Sequence, residues 1–266
     1  MDTIDLLNLR QWFSNYCTTF YSPDKEEQKN IALKEIHSRN VASNMLSIAG
    51  AALRNRNKVF IAEAIGLLHD VGRFPQYEQY KTFRDSVSVN HGKLGAEVII
   101  AENILGRIPL HEQEVIIEAV KFHNAFAVPE NLDPETVFFL KMVRDADKLD
   151  IWRVFSEFYE KSEDERESAV GLDLPDTPSY SDDILACLSE RRLATLAGIK
   201  TLNDFKIMQL CWVYDLNFPV SCRIAMEQGM IDRIISELPE SSDIGPAVLR
   251  LKQYMRDRAA GTKIRC

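Results

Sequence analysis

Apolar residues along this chain recur at spacings of three and four rather than in strict alternation, the period of helices and not of strands. Ser22-Pro23 predicts a helix start, and the apolar face that follows runs through Leu33, Ile36, Val41, Met45 and Ile48 toward Gly50, with His37 on or beside it. A second helix is predicted from about Val59. Its string FIAEAIGLL delivers His69 and Asp70 at the carboxyl end, where Gly72 and Pro75 stop it. Residues 74–90 read as a loop, residues 91 to about 105 as the next helix, and residues 112–124 as another, with Ile116, Ala119, Val120 and His123 on one side. Asp133-Pro134 caps a long helix that reaches Tyr159 or beyond.

Residues 161–180 then switch to acids, Ser, Pro and Gly and read as a mobile loop or a boundary. Three or four amphipathic segments follow from Ser181. The pattern predicts an all-α protein with a helical core and N-terminal helix at 1–160, an acidic, Pro-containing loop at 161–180, and a C-terminal helical extension at 181–266 packed on the core.

Composition narrows the function classes. A net charge of -8 and a pI near 5.3 argue against a broad grip on duplex nucleic acid or an anionic membrane, both of which need clustered Lys and Arg. A small phosphorylated substrate stays compatible, because a metal and a few local cations suffice to hold a phosphate. No apolar run approaches the roughly 20 residues that span a bilayer, and the start MDTIDLLNLR lacks the pattern of a secretory signal. Cys17, Cys187, Cys211, Cys222 and Cys266 are scattered and odd in number, as expected of reduced, buried thiols in a cytoplasmic protein. A homo-oligomer is possible.

The chemistry lies in the histidines and two acids. His37, His69, His91 and His123 fall on or at the ends of four predicted helices, while Asp70 and Asp147 sit in otherwise apolar helical stretches. A buried carboxylate needs a partner or a metal. Any one of these histidines alone reads first as a hydrogen-bonded core residue rather than a ligand; together with the acids they suit a divalent transition metal such as Fe, Mn, Co, Ni or Zn, and the absence of nearby cysteine disfavours structural zinc. His111, in a Pro-Leu-His-Glu turn, reads as a surface or N-cap residue. In the long helix, the face through Phe139, Val143, Ala146 and Val154 includes Asp147 and Asp150, whereas Asp145 points away and is expected in a surface ion pair. Asp150 is expected to support the ligands from behind. Arg73, Lys148, Lys93 and Lys121 can each neutralise a phosphate, Arg73 best because it follows the His-Asp pair directly.

The order of these residues resembles the HD superfamily of metal-dependent phosphohydrolases: His37, then LLHDVGR at 67–73, His91 in NHGKLGAEVI, His123 in AVKFHNA and Asp147 in VRDADKLD. HDVGRF, KTFRDS and RDADKLDI are similar to a bacterial group of stand-alone HD hydrolases, and the resemblance covers about residues 30–155. It implies a helical bundle in which His37, His69, Asp70 and Asp147 ligate one metal, with Asp70 bridging to a second ion held by His91 and His123, so that one or two ions bind. It further implies hydrolysis of a phosphate ester by metal-activated water, with Asp70 and His69 catalytic; Arg73, from its place beside the His-Asp pair, is expected to join them, and Arg73 and Lys148 are the cations expected on the substrate phosphate. The chain departs from the cyclic-dinucleotide phosphodiesterases, since Asn124 follows His123 and no Gly-Tyr-Pro signature is present; their substrate does not carry over. A di-iron oxygenase and a non-catalytic nucleotide- or metal-sensing module are the alternative readings.

Overall fold

The computed structural model describes residues 1–160 and 174–261, which form α-helices and no strand. The chain divides into two compact units, Met1–Asp150 and a second formed, among the described residues, by 151–160 and 174–261. Residues 161–173 of the predicted acidic loop lie outside the described residues, as does Cys266.

The first unit contains α1 (Thr3–Thr19), α2 (Lys25–Ala52), α3 (Arg56–Leu68), α4 (Arg73–Tyr80), α5 (His91–Ala101), α6 (Leu110–Phe122) and the part of α7 (Pro134–Glu160) up to Asp150. In sequence terms α2 starts later than Ser22-Pro23 predicts. The Asp24 carboxylate accepts from the amides of Glu26 and Glu27, both at 2.9 Å, and Pro23 stays outside the helix. Its buried face carries Ile31, Val41, Met45 and Ile48 with His37, but Ile36 is 52 % exposed, because one residue step turns the helix about 100° away from His37.

The loop expected at 74–90 is a helix in its first part. Pro75 falls in the opening turn of α4, where a missing N–H breaks no helical bond, so it does not end an element there. Lys81, left-handed at φ 52°, closes α4, and residues 81–90 are irregular apart from a single turn at Asp85–Val87. The helix from His91 stops at Ala101, short of Leu105. Asp133 caps α7 as predicted, accepting from the amides of Glu135 at 2.9 Å and Thr136 at 3.2 Å. Asp145 corrects the sequence reading: it is wholly buried rather than on the surface. Between Met142 and Ala146 every residue of α7 is buried, so this stretch has no solvent face for Asp145 to occupy.

The second unit takes α7 from Ile151 and adds α8 (Asp182–Ser189), α9 (Leu202–Cys211), α10 (Pro219–Glu227), α11 (Met230–Ser236) and α12 (Ile244–Ala259). Five helices stand where three or four segments are predicted, because several are too short to show a full amphipathic period. Every residue of α9 after the half-buried Leu202 is buried. Trp152 donates to the Gln209 carbonyl at 3.1 Å, and Phe155 meets Phe205 edge-on with ring centroids 4.9 Å apart. Residues 174–180 are irregular yet tied down, with the Leu202 amide on the Pro175 carbonyl at 3.0 Å and Asn203 on the Thr177 carbonyl at 2.8 Å. Cys17, Cys187, Cys211 and Cys222 are buried free thiols. No helix among the described residues is long and apolar enough to cross a membrane.

Candidate metal centre

Two helical pairs present four imidazoles to one point. In the first pair α2 packs on α3, carrying His37 within α2 and His69 at the C-cap of α3. The contact is tight because Gly66 faces α2: a Cβ there would lie 2.7 Å from the Ala42 Cα. In the second pair α5 packs on α6, with His91 as the first residue of α5 and His123 at the C-cap of α6. The turn carrying Asp70 joins them. Gly72 lets that turn approach α5, where a Cβ would stand 2.2 Å from the His91 carbonyl oxygen and 2.5 Å from the Gly95 nitrogen. Asp147 approaches from α7.

The six side chains predicted from sequence are thereby brought together. His37 and His69 face each other through Nε2 atoms 3.2 Å apart, and His91 and His123 do the same at 3.0 Å. The Asp70 carboxylate lies between the pairs. Its Oδ2 is 3.5 Å from His37 Nε2 and 3.8 Å from His69 Nε2, while its Oδ1 is 3.3 Å from His91 Nε2 and 3.7 Å from His123 Nε2. Asp147 Oδ1 joins the first pair, 3.1 Å from His37 Nε2 and 3.7 Å from His69 Nε2. The histidines and Asp70 are buried; the Asp147 side chain, 19 % exposed, is the most open of the six.

Each ring is oriented by what holds its other nitrogen. His37 Nδ1 meets Asp150 Oδ2 at 2.7 Å and His91 Nδ1 meets Asp85 Oδ2 at 2.7 Å. His69 and His123 each donate Nδ1–H to the carbonyl three residues back, Gly66 at 2.8 Å and Val120 at 2.7 Å. A carboxylate or carbonyl only accepts, so the Nδ1 atoms carry the protons and the Nε2 atoms turn inward.

Burial pushes His91 down to about 3, helped by the Arg73 charge, and His123 down to about 4, helped by His69; burial also lowers His69. These rings are neutral near pH 7. His91 and His123 consequently aim two Nε2 lone pairs at each other across 3.0 Å with no proton to share, an arrangement that a cation relieves. For His37, burial acts downward but hydrogen bonds to Asp147 and Asp150 carry it up to about 9. Asp70 resists burial and stays well below the usual carboxylate range because Lys34, His69, Arg73 and His91 surround it. Asp147 is likewise held low against burial by His37 and its neighbouring histidines.

This donor set fits a divalent ion. His37, His69 and Asp70 form one group with ligand atoms within 4.8 Å of one another; Asp70, His91 and His123 form another; His69, His123 and Asp147 form a third. All donors are imidazole nitrogen or carboxylate oxygen, the chemistry of borderline transition metals.

Of the predicted cations, Arg73 is largely committed to the protein. Its NH1 donates to Gln76 at 2.8 Å, to the Phe83 carbonyl at 2.6 Å and to Asp85 at 2.8 Å, while Nε lies 3.5 Å from Asp70 Oδ1. Lys148 donates to the Arg144 carbonyl at 3.2 Å, Lys121 pairs with Glu118 at 2.9 Å, and Lys93 is exposed. His111 is on the surface, 3.3 Å from Glu135, and caps nothing.

Three residues of the site carry no role in the sequence reading. Asp85 orients His91, Lys34 reaches Asp70 Oδ2 at 2.9 Å, and Arg144 clasps the Ala125 carbonyl just beyond His123. Asp85 stands within KTFRDS and Arg144 within VRDADKLD, segments that carry the resemblance without a role for either residue, while Lys34 lies three residues before His37 and so on the same side of α2.

Residues 35–152 match the family model of the HD domain. No curated protein and no solved structure matches the chain.

Proposed function

The chain belongs to the HD superfamily through the domain at residues 35–152, and from that premise we propose that it hydrolyses a phosphate ester, of a nucleotide or another small phosphorylated compound. The observation that carries this reading is the convergence of four Nε2 atoms and two carboxylates, with Asp70 offering one oxygen to each histidine pair. His37, His69, Asp70 and Asp147 would hold one divalent ion, and Asp70, His91 and His123 a second. Such an ion supplies Lewis acidity, lowering the pKa of water toward neutrality and offsetting phosphoryl charge.

The protein groups do the rest. Asp70 and His69 orient the water that attacks phosphorus, and both are fixed for this by burial and by the Gly66 carbonyl behind His69. Asp147, the most open carboxylate of the set, lies where substrate enters. Arg73 spends NH1 on its own fold, which holds the guanidinium rigid and leaves NH2 for a phosphoryl oxygen. Lys148 lies on the same α7 segment as Asp147 and adds a second positive charge toward the phosphate.

The test is hydrolysis by purified protein loaded with Mn, Fe, Co or Ni against a panel of nucleotides, phosphomonoesters and phosphodiesters. Turnover is expected to disappear in Asp70→Ala and Asp147→Ala while circular dichroism retains the helical signal. Undiminished turnover in either variant overturns the assignment. Iron-dependent oxygen consumption without phosphate release would instead favour an oxygenase.

A further inference from the structure

The cation nearest the centre is one that the HD motif does not include. Lys34 lies on α2 one turn before His37, and its ammonium is 2.9 Å from Asp70 Oδ2. The side chain is only 16 % exposed. An ammonium so withdrawn from water must keep an anionic partner. Its position is confined further by the Phe83 ring, whose centroid is 5.0 Å from Nζ. That ring is itself immobilised, packed on Tyr77 at 5.0 Å with its backbone carbonyl held by Arg73 at 2.6 Å.

The contrast with Arg73 is one of commitment. Arg73 has three protein acceptors on one nitrogen, none of them a predicted metal ligand. Lys34 has one hydrogen-bond acceptor among the described residues, and it is the carboxylate oxygen that the His37 and His69 pair needs for a divalent ion. A carboxylate shared with a divalent cation has less charge to give an ammonium, and two cations on one oxygen repel. Lys34 then stands beside the ion, shielded from water, and requires a different anion.

Resting on the phosphohydrolase reading above, we propose that Lys34 is a substrate-binding residue: with metal in place its ammonium passes from Asp70 Oδ2 to a phosphoryl oxygen of the substrate. The ligand chemistry is a phosphate dianion or phosphodiester anion, and the transfer keeps the number of charge pairs constant, since each cation retains an anion.

The experiment is calorimetric titration of Mn-loaded full-length protein with inorganic phosphate, run beside elemental analysis of the same samples. Lys34→Met is expected to weaken phosphate binding about tenfold to a hundredfold, the worth of a charge-assisted hydrogen bond, while Mn content stays at the wild-type level. Lys34→Arg is expected to restore most of the affinity and guards against a folding defect in the methionine variant. Three results overturn the proposal: phosphate affinity unmoved in Lys34→Met, Mn lost together with phosphate in that variant, or wild-type protein that holds Mn and binds no phosphate. The first leaves hydrolysis intact and removes Lys34 alone. Conversely, Lys34-dependent phosphate binding without hydrolysis of any panel compound removes the hydrolase reading and leaves Lys34 as the phosphate-binding residue of a site without turnover.

Discussion

Asp85 Oδ2 lies 2.7 Å from His91 Nδ1, and this contact fixes the proton of the only one of the four histidines that sits at a helix start. The same carboxylate also accepts from Arg73 at 2.8 Å, Gln76 at 3.0 Å and Asn124 at 2.9 Å. Asp85 therefore ties α4, the irregular segment before α5, and the end of α6 to one ligand. Burial works against its ionisation, but His91 and Arg73 hold the carboxyl far below its ordinary range. It remains an acceptor at any working pH.

Removing that acceptor is predicted to disable half of the centre. In Asp85→Ala, His91 loses its tautomer lock, and affinity for the ion at Asp70, His91 and His123 should fall about tenfold to a hundredfold. Mn titration followed by calorimetry should show the ion at Asp70, His91 and His123 held more weakly and the ion at His37, His69, Asp70 and Asp147 retained. Two ions bound with wild-type affinity would refute the assignment.

Asp150→Ala should have the complementary effect. Asp150 meets His37 Nδ1 at 2.7 Å, as Asp85 meets His91, so its loss should weaken the site at His37, His69, Asp70 and Asp147 by a similar factor of about ten to a hundred. The two carboxylates support different rings, so the losses in the double variant should add except as far as Asp70, which both sites share, couples them. A strongly non-additive result would show that the pairs do not load independently.

Gly72→Ala tests the packing that brings Asp70 to His91. An added methyl would meet the His91 carbonyl at 2.2 Å and the Gly95 nitrogen at 2.5 Å, both backbone atoms with little freedom to yield. Overpacking of this kind costs about 1–3 kcal/mol or more, so the thermal midpoint should drop and Mn content should fall with it. A melt and an Mn content equal to wild type would mean that the turn and α5 separate without harm.

How much of this was legible before the fold was known depended on whether a residue belonged to a periodic element. His37, Ile116, Ala119, Val120, His123 and the Asp133 cap followed from helical spacing and cap chemistry, and the structure places all of them in or at the ends of helices. Asp150 behind His37 was likewise readable from its face of α7. Asp85 was not, because an irregular polar segment carries no period and its partners come from α4, α5 and α6. Asp145 was misread because amphipathic reasoning assumes one wet face, and α7 has none there. The two histidine pairs each span 32 positions, a regularity visible in the sequence only once the pairing is known.

Asp204 in the second unit provides a prediction about stability and pH that is independent of the metal centre. Its carboxylate is buried, which alone would raise its pKa, yet it accepts from the Ser181 amide at 2.6 Å, the Ser181 hydroxyl at 2.9 Å, the Lys200 amide at 2.9 Å and the Thr201 amide at 3.2 Å, and these donors hold it below the ordinary range. The Thr201 hydroxyl completes a reciprocal cap by accepting from the Asp204 amide at 3.1 Å. Loss of such a cap costs about 0.5–2 kcal/mol, so Asp204→Asn should melt earlier than wild type at pH 7. A folded pKa depressed below the unfolded value contributes stability that is fully present above the unfolded pKa of about 3.9 and is lost as pH falls toward the lower folded value. The gap between the wild-type and Asp204→Asn melting midpoints should accordingly be widest near neutrality and narrow as pH drops below about 4. A gap that stays constant across that range would show that the carboxylate's charge contributes nothing and that only its shape matters.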